Sequence, residues 1–326
     1  MPVLASQFRP PAWLRSAHLQ TVWAVLRPRR WTLAQEHERL ELPDGDFLDL
    51  TWLPRATGGV RSDRLVVLTH GLESDAQAGY ILGMAAALQR AGWDALAWNF
   101  RGCGAEMNRL PRFYHSGETT DLAAVVRHAA ASRGYAKIAL VGFSLGGNVT
   151  LKYLGEGDVS PAVAGAVAIS VPVDLASSAQ TLDRRRLNHV YLRRFIVSLV
   201  GKVEAKARVF PDGFDLRGIR RVRTFQEFDD RYTSRLHGFR DAADYWARAS
   251  ARPFLPRVRV PTLLLSAWDD PFLSPECFPV PEAEANPMLS LEAPARGGHV
   301  GFVDFYGAHR ETYAERRAAE FLAGCS

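Results

Sequence analysis

Short apolar runs recur along the chain, most of them followed by a stretch with helical spacing, and this alternation constrains the fold more than any other feature. Residues 65–69, 95–100, 138–143, 166–170, 262–266 and 288–291 are such runs. They are continuously apolar rather than alternating, as expected of strands covered on both faces. Helical patterns at residues 80–90, 118–132, 147–154 and 308–322 lie among them, with Ser116 as the expected N-cap of the second. Strand–helix alternation predicts an α/β fold, a mostly parallel sheet with helices on both faces. Residues 39–42 and 47–53 flank Pro43-Asp44-Gly45-Asp46 and read as a hairpin, which adds antiparallel strands at one edge.

The alternation breaks once. Between Ser170 and Thr262 about 90 residues carry no clear strand, too long a stretch for a structureless loop in a compact domain. Leu187, Tyr191, Phe195, Leu199 and Val203 repeat at helical spacing there, as do Leu192, Ile196 and Val200. The expectation is a helical cap over residues 171–251, inserted into a core formed by residues 1–170 and 252–326. The cap is also where positive charge collects. Residues 181–223 hold 12 Lys/Arg and 4 Asp/Glu, net +8, against +5 for the whole chain. That charge reads either as a solvated helix face or as a surface for weak peripheral contact with anionic lipid.

With 47% hydrophobic and 23% charged residues the chain has ordinary globular usage, which excludes disordered, collagen-like and coiled-coil classes. The three cysteines, Cys103, Cys277 and Cys325, form neither a disulfide framework nor a metal-ligand spacing. No apolar run approaches the ~20 residues of a membrane span, and the first thirty residues lack the order of a secretion signal. The expected location is cytoplasmic.

Chemistry concentrates in Gly142-Phe143-Ser144-Leu145-Gly146, set between an apolar strand and a helix. A nucleophile on such a sharp turn is pushed out at the sheet edge, and only small residues fit two places before and after it. Ser144 is therefore the candidate nucleophile. A serine hydroxyl needs a base. Of nine histidines, His299 is best placed, in a glycine-rich loop between the last strand and the last helix. The base needs an acid, and Asp269 and Asp270 follow the strand at 262–266. The register before Pro271-Phe272-Leu273 favours Asp270, with Asp269 as the alternative. The backbone N–H groups of Leu145 and Leu72 are the candidate oxyanion-hole donors, and His70 is expected to hold the shape of the Leu72 loop.

The elbow, the His70-Gly71 loop and the chain order Ser144, Asp270, His299 resemble the α/β-hydrolase superfamily. Further segments resemble its YheT-type branch (family 4 of these hydrolases), which is grouped with eukaryotic α/β-hydrolase-domain esterases. They are His18-Leu19-Gln20-Thr21, Thr69-His70-Gly71-Leu72-Glu73-Ser74 and Asn99-Phe100-Arg101-Gly102-Cys103-Gly104. Tyr114-His115-Ser116-Gly117, Phe228-Asp229-Asp230 with Tyr232-Thr233, Asp269-Asp270-Pro271 and Gly297-Gly298-His299-Val300-Gly301 complete the series. The likeness spans residues 13–322. It implies an α/β-hydrolase fold with an antiparallel N-terminal hairpin and an inserted helical cap, and a carboxylesterase- or lipase-like hydrolase of acyl esters.

Other signals are discounted. Gly102-Cys103-Gly104 begins like a dinucleotide fingerprint, but Met107 stands where its third glycine belongs. Walker, Cys-x-x-Cys and His-Glu-x-x-His patterns are missing, so no cofactor and no metal are expected. No nucleic-acid-binding module is recognisable. The expected partner is a small-molecule acyl ester, cleaved through a Ser-His-Asp triad and an acyl-enzyme. The cap, around Tyr191, Phe195 and Leu199, would cover the site and set a preference for short-to-medium acyl chains. An acyltransferase on the same triad and a lipid or lysophospholipid hydrolase are the alternatives; a non-catalytic binding fold does not suit a chain that keeps all three residues.

Overall fold

The computed structural model describes residues 3–26, 29–55, 62–304 and 311–325. Within them lie strands β1 (Val3–Leu4), β2 (Glu36–Glu41), β3 (Phe47–Leu53), β4 (Arg64–Thr69), β5 (Asp94–Trp98), β6 (Lys137–Phe143), β7 (Val163–Ile169), β8 (Thr262–Leu265) and β9 (Leu289–Glu292). They form one sheet in the order β1-β9-β8-β7-β6-β4-β5-β3-β2. β2 pairs antiparallel with β3, and β3 antiparallel with β5; the pairings from β5 to β1 are parallel. The expected hairpin thus forms one edge of an otherwise parallel sheet. β1, at the other edge, is two residues long, too short to show any periodicity.

Side chains alternate across each strand. On β4, Leu65 and Val67 join one apolar layer and Val66 and Leu68 the other, and all four are fully buried. The first layer packs under α3 (Thr119–Arg133) and α4 (Leu145–Glu156), the second under α2 (Gly79–Arg90) and α11 (Tyr313–Ala323). Burial on both faces explains the continuous apolar runs, at about 1.5–3 kcal/mol for each such side chain. α1 (Ala17–Leu26) and the short α10 (Val280–Ala285) complete the helices around the sheet.

Two helix starts differ from expectation. The N-cap of α3 is Glu118, not Ser116. Both the N–H and the hydroxyl oxygen of Ser116 are taken by the Tyr245 hydroxyl, at 2.9 and 2.8 Å, so the serine ties down a distant helix instead of capping its own. α11 begins at Tyr313, where Thr312 and Glu315 form a reciprocal capping box. The expected start at residues 308–310 lies outside the described residues.

Between β7 and β8 the described residues form no strand. They form α5 (Leu175–Arg184), α6 (His189–Val209), α7 (Phe225–Phe228), α8 (Ser234–Leu236) and α9 (Ala242–Ala249), with one wide π turn at Asp229–Thr233. The inward faces of these helices, including Leu182, Leu192, Ile196 and Val203, share a separate apolar cluster with Phe113 and Phe272 from loops of the sheet domain. Those two phenylalanines seat the insert on loops that follow strand ends.

Candidate active site

Ser144 stands between β6 and α4 with φ 51° and ψ −119°, a strained conformation for a residue with a side chain. A Cβ at Gly142 would run into the Gly146 carbonyl, and one at Gly146 into the carbonyls of Thr69 and His70. The glycine spacing around Ser144 is therefore a packing requirement of the turn.

The loop after β9 carries His299 to this serine. His299 Nε2 lies 2.9 Å from Ser144 Oγ, and Nδ1 lies 2.8 Å from Asp270 Oδ2. Asp270 is 2% exposed. Its other oxygen accepts the Phe272 N–H at 2.9 Å. Asp269 points elsewhere: its Oδ1 accepts the Gly298 N–H at 2.9 Å. Of the two adjacent aspartates, one faces the imidazole and the other secures the loop that bears it. Phe272 packs on the imidazole with ring centroids 4.2 Å apart.

The histidine loop has a buttress that sequence reasoning did not assign. Thr21 on α1 accepts the His299 N–H at 2.9 Å. Fully buried Gln20 donates to the carbonyls of Leu14 and Val303 and accepts the Val303 N–H. Ser170, just beyond β7, accepts the Val300 N–H. In the sequence the His18-Leu19-Gln20-Thr21 segment carries a family likeness and no chemical signal of its own. Its physical use shows once α1 lies against a loop some 280 residues away in sequence.

Leu72 and Leu145 border the same cavity as Ser144 and His299. Among the described residues no protein acceptor takes either backbone N–H. His70, one strand end away, is buried. Its Nδ1 lies 2.8 Å from the Gly71 carbonyl, and its Nε2 accepts the Phe100 N–H at 3.2 Å. Those partners put the proton on Nδ1 and pin the Leu72 loop to the one after β5. Glu73 continues that loop at φ 52°. Its carboxylate accepts from the Tyr114 hydroxyl at 2.8 Å, Lys202 Nζ at 2.6 Å and the Ser198 hydroxyl at 2.5 Å. The last two come from α6, so the insert is bolted to the residue beside Leu72.

The cavity opens beside Ser144 and His299. Its walls are mostly apolar, with Leu182, Phe195, Leu199, Phe225 and Phe228 contributed by the insert. Phe195 and Leu199 stand where expected. Tyr191 does not line the cavity; its ring packs on Phe272 at 4.9 Å, and its hydroxyl lies 3.2 Å from His18 Nδ1. Cys103 is outside the site, beside Lys202 Nζ at 3.3 Å, and burial pushes its thiol up to about 11. Such a thiol is not a nucleophile at neutral pH.

These features can be set beside known proteins. Residues 64–306 match the family described as alpha/beta hydrolase fold. The chain belongs to that family. Among relatives, it is 37% identical to YheT of Escherichia coli (strain K12), an esterase by name, over 98% of this chain and 93% of the relative. It is 28% identical to Phospholipase ABHD3 of Mus musculus, over 98% of this chain and 79% of the relative. The esterase Pf2001 of Pyrococcus furiosus superposes with a TM-score of 0.58, covering 91% of this chain and 96% of that one at 18% identity. That last likeness is one of fold. In this α/β hydrolase the site lies beyond the C-terminal ends of the parallel strands, where open sheets of this kind bind ligands.

One group among the described residues has metal-ligating types within 4.8 Å of one another, His115, Glu118 and His237. His115 Nδ1 accepts the Gly117 N–H, which leaves the ring proton on Nε2, facing Glu118 at 3.6 Å. While that bond holds, the neutral ring has no lone pair left to ligate an ion. The cluster does affect pH behaviour. Burial lowers His70 to about 4 and both His115 and His237 to about 3, from an ordinary 6.5. The unfolded chain therefore takes up these protons first as pH falls, and the associated stability is present above 6.5 and lost below it. Asp229, raised by burial to about 7, takes up one proton in the folded state and opposes this. Asp121, Asp183 and Asp269, raised by burial to a lesser degree, oppose it at lower pH, so the histidines dominate just below pH 6.5 and stability falls there as pH falls. Urea midpoints measured at pH 7.5, 6 and 5 should fall accordingly; a flat series would contradict the neutral histidines.

Proposed function

We propose that the protein is a carboxylic ester hydrolase that works through an acyl-enzyme on Ser144. The observation that carries this reading is the unbroken chain from Ser144 Oγ to His299 Nε2 at 2.9 Å and from Nδ1 to Asp270 at 2.8 Å. Its relatives named as an esterase and a phospholipase support the reaction class.

Asp270 accepts a hydrogen bond from Nδ1–H, which keeps the ring proton there, so Nε2 presents a lone pair to the serine hydroxyl. As Ser144 Oγ bonds to the ester carbonyl carbon, its proton passes to Nε2. The carbonyl oxygen gains the negative charge and is held by the N–H groups of Leu145 and Leu72. The C–O bond to the alcohol then breaks, and the alcohol leaves with the proton from His299. Water enters, gives a proton to Nε2 and attacks the acyl carbon. The acid departs and Ser144 is restored. Burial of Asp270 and the Phe272 ring over His299 limit water around the imidazolium, which strengthens its attraction to the carboxylate.

The apolar cavity formed with the insert takes the acyl chain. The wall that Leu182, Phe225 and Phe228 of the insert put across it supports short-to-medium chains. A p-nitrophenyl ester series is expected to peak in kcat/KM between about four and ten acyl carbons, each added buried methylene contributing about 0.8 kcal/mol until the wall is reached. The acetate ester should release a burst of p-nitrophenol matching the enzyme concentration. A linear release with no burst, where hydrolysis of the acyl-enzyme is limiting for related esters, would argue against the covalent intermediate; a peak at sixteen or more carbons would argue against the chain-length reading. All three cysteines are free, which supports placing the activity in a reducing compartment, the cytoplasm. Among the described residues no helix is long and apolar enough to cross a membrane.

A further inference from the structure

The outer face of α6 and the turn leading into it bring two features together. Arg184, Arg185, Arg186, Arg193 and Arg194 are all exposed, and among the described residues none of them pairs with a carboxylate. Elsewhere in the insert Arg217 pairs with Asp215 and Arg220 with Glu204, while Arg208, Arg221 and Arg235 are also exposed without a carboxylate partner among the described residues, so it is the clustering of five such cations with exposed aliphatics that sets this face apart. Interleaved with the free cations are Leu187, Val190 and Val197, exposed by 73%, 75% and 64%. These are the three most exposed large apolar side chains among the described residues, and the fourth, Val209 at 60%, ends the same helix. Val190, Arg193, Arg194 and Val197 follow one another at helical spacing along one face. The opposite face, with Leu192, Ile196, Leu199 and Val203, is buried in the insert. The protruding aliphatics are thus not a misplaced part of the core.

We propose that this face docks the protein reversibly on an anionic lipid bilayer. The arginines meet headgroup phosphates, while Leu187, Val190 and Val197 enter the upper acyl region. Both halves of the surface fit that partner. Each cation close to an anionic membrane strengthens binding about fivefold, and apolar side chains gain only where hydrocarbon lies beneath the charge. Nucleic acid would match the arginines but leave the aliphatics unused. The position also brings a bilayer close to the cavity. Phe195 and Leu199, on the inner side of α6, line the acyl cavity, so a bilayer against the outer side lies about one helix diameter, ~10 Å, from it. Docking does not rest on the esterase reading and is tested apart from it.

The test is co-sedimentation of the whole chain with vesicles of pure phosphatidylcholine and with vesicles carrying about one-third phosphatidylglycerol, at about 0.05 and 0.5 M salt. Binding is expected only to the anionic vesicles and should weaken steeply with salt. The pair Arg193→Glu with Arg194→Glu should reduce it at least about 25-fold, two cations at the stated factor. The pair Leu187→Ser with Val190→Ser should reduce it severalfold without altering the salt dependence. All four positions are exposed, so thermal melts and hydrolysis of a soluble ester should stay at parental values. Three outcomes would overturn the proposal: folded protein that ignores anionic vesicles, binding that both variant pairs leave unchanged, or loss confined to the arginine pair together with equal affinity for a short DNA duplex.

Discussion

Ser144→Ala should lower kcat on a soluble ester by about 10⁶-fold, the scale of removing the nucleophile from a triad that acts as a unit. Covalent labelling by a fluorophosphonate should vanish with it, because the phosphorus–oxygen bond forms at Oγ as fluoride leaves. The loss should not come from unfolding. Ser144 already carries a strained φ of 51°, and alanine keeps the same backbone with one atom fewer in a cavity that has room. A residual rate above water of about 10³–10⁴ should survive, supplied by the oxyanion donors and by binding. Equal labelling of parent and variant would place the nucleophile elsewhere. His70 is not a ready substitute base, since both of its ring nitrogens are engaged and burial holds it neutral.

The second large effect separates two neighbouring carboxylates. Asp270→Asn should lower kcat about 10⁴-fold with little change in KM. The reason is geometric. Asp270 Oδ1 accepts the Phe272 N–H, so an asparagine keeps its oxygen there and turns its NH₂ group toward His299. Facing a donor, Nδ1 must offer its lone pair, and the ring proton moves to Nε2. That nitrogen can then no longer accept from Ser144. Asp269→Asn keeps an oxygen for the Gly298 N–H and should cost less than about tenfold. Steady-state kinetics of both variants on one ester decide the matter. If the two losses were equal, or Asp269→Asn the greater, the imidazole would be oriented by something other than Asp270.

Much of the architecture is legible in the sequence. Runs such as residues 138–143 are apolar without alternation because both faces of β6 are covered, and that burial is a local property written into consecutive residues. Gly142 and Gly146 marked the turn around Ser144 for a similar reason, since the collisions that exclude a side chain there come largely from the turn itself and the adjoining loop. Shorter or polar determinants left no such trace. β1 has two residues, and the N-terminal position of α3 could not be read from Ser116 because Tyr245, far along the chain, claims that side chain.

The strand and helix pattern, the strained turn at Ser144 and a short list of partners in the chain order of the family are legible in the residues alone, because each is set by the spacing of neighbours along the chain. Folding settles that Asp270 rather than Asp269 faces His299, that Gln20 and Thr21 hold its loop, and that the face of α6 bearing the arginines and aliphatics is the one turned away from the core. Those outcomes depend on the direction of side chains brought together by folding, 29 residues apart for Asp270 and His299 and 278 for Thr21 and His299, and packing around them sets that direction.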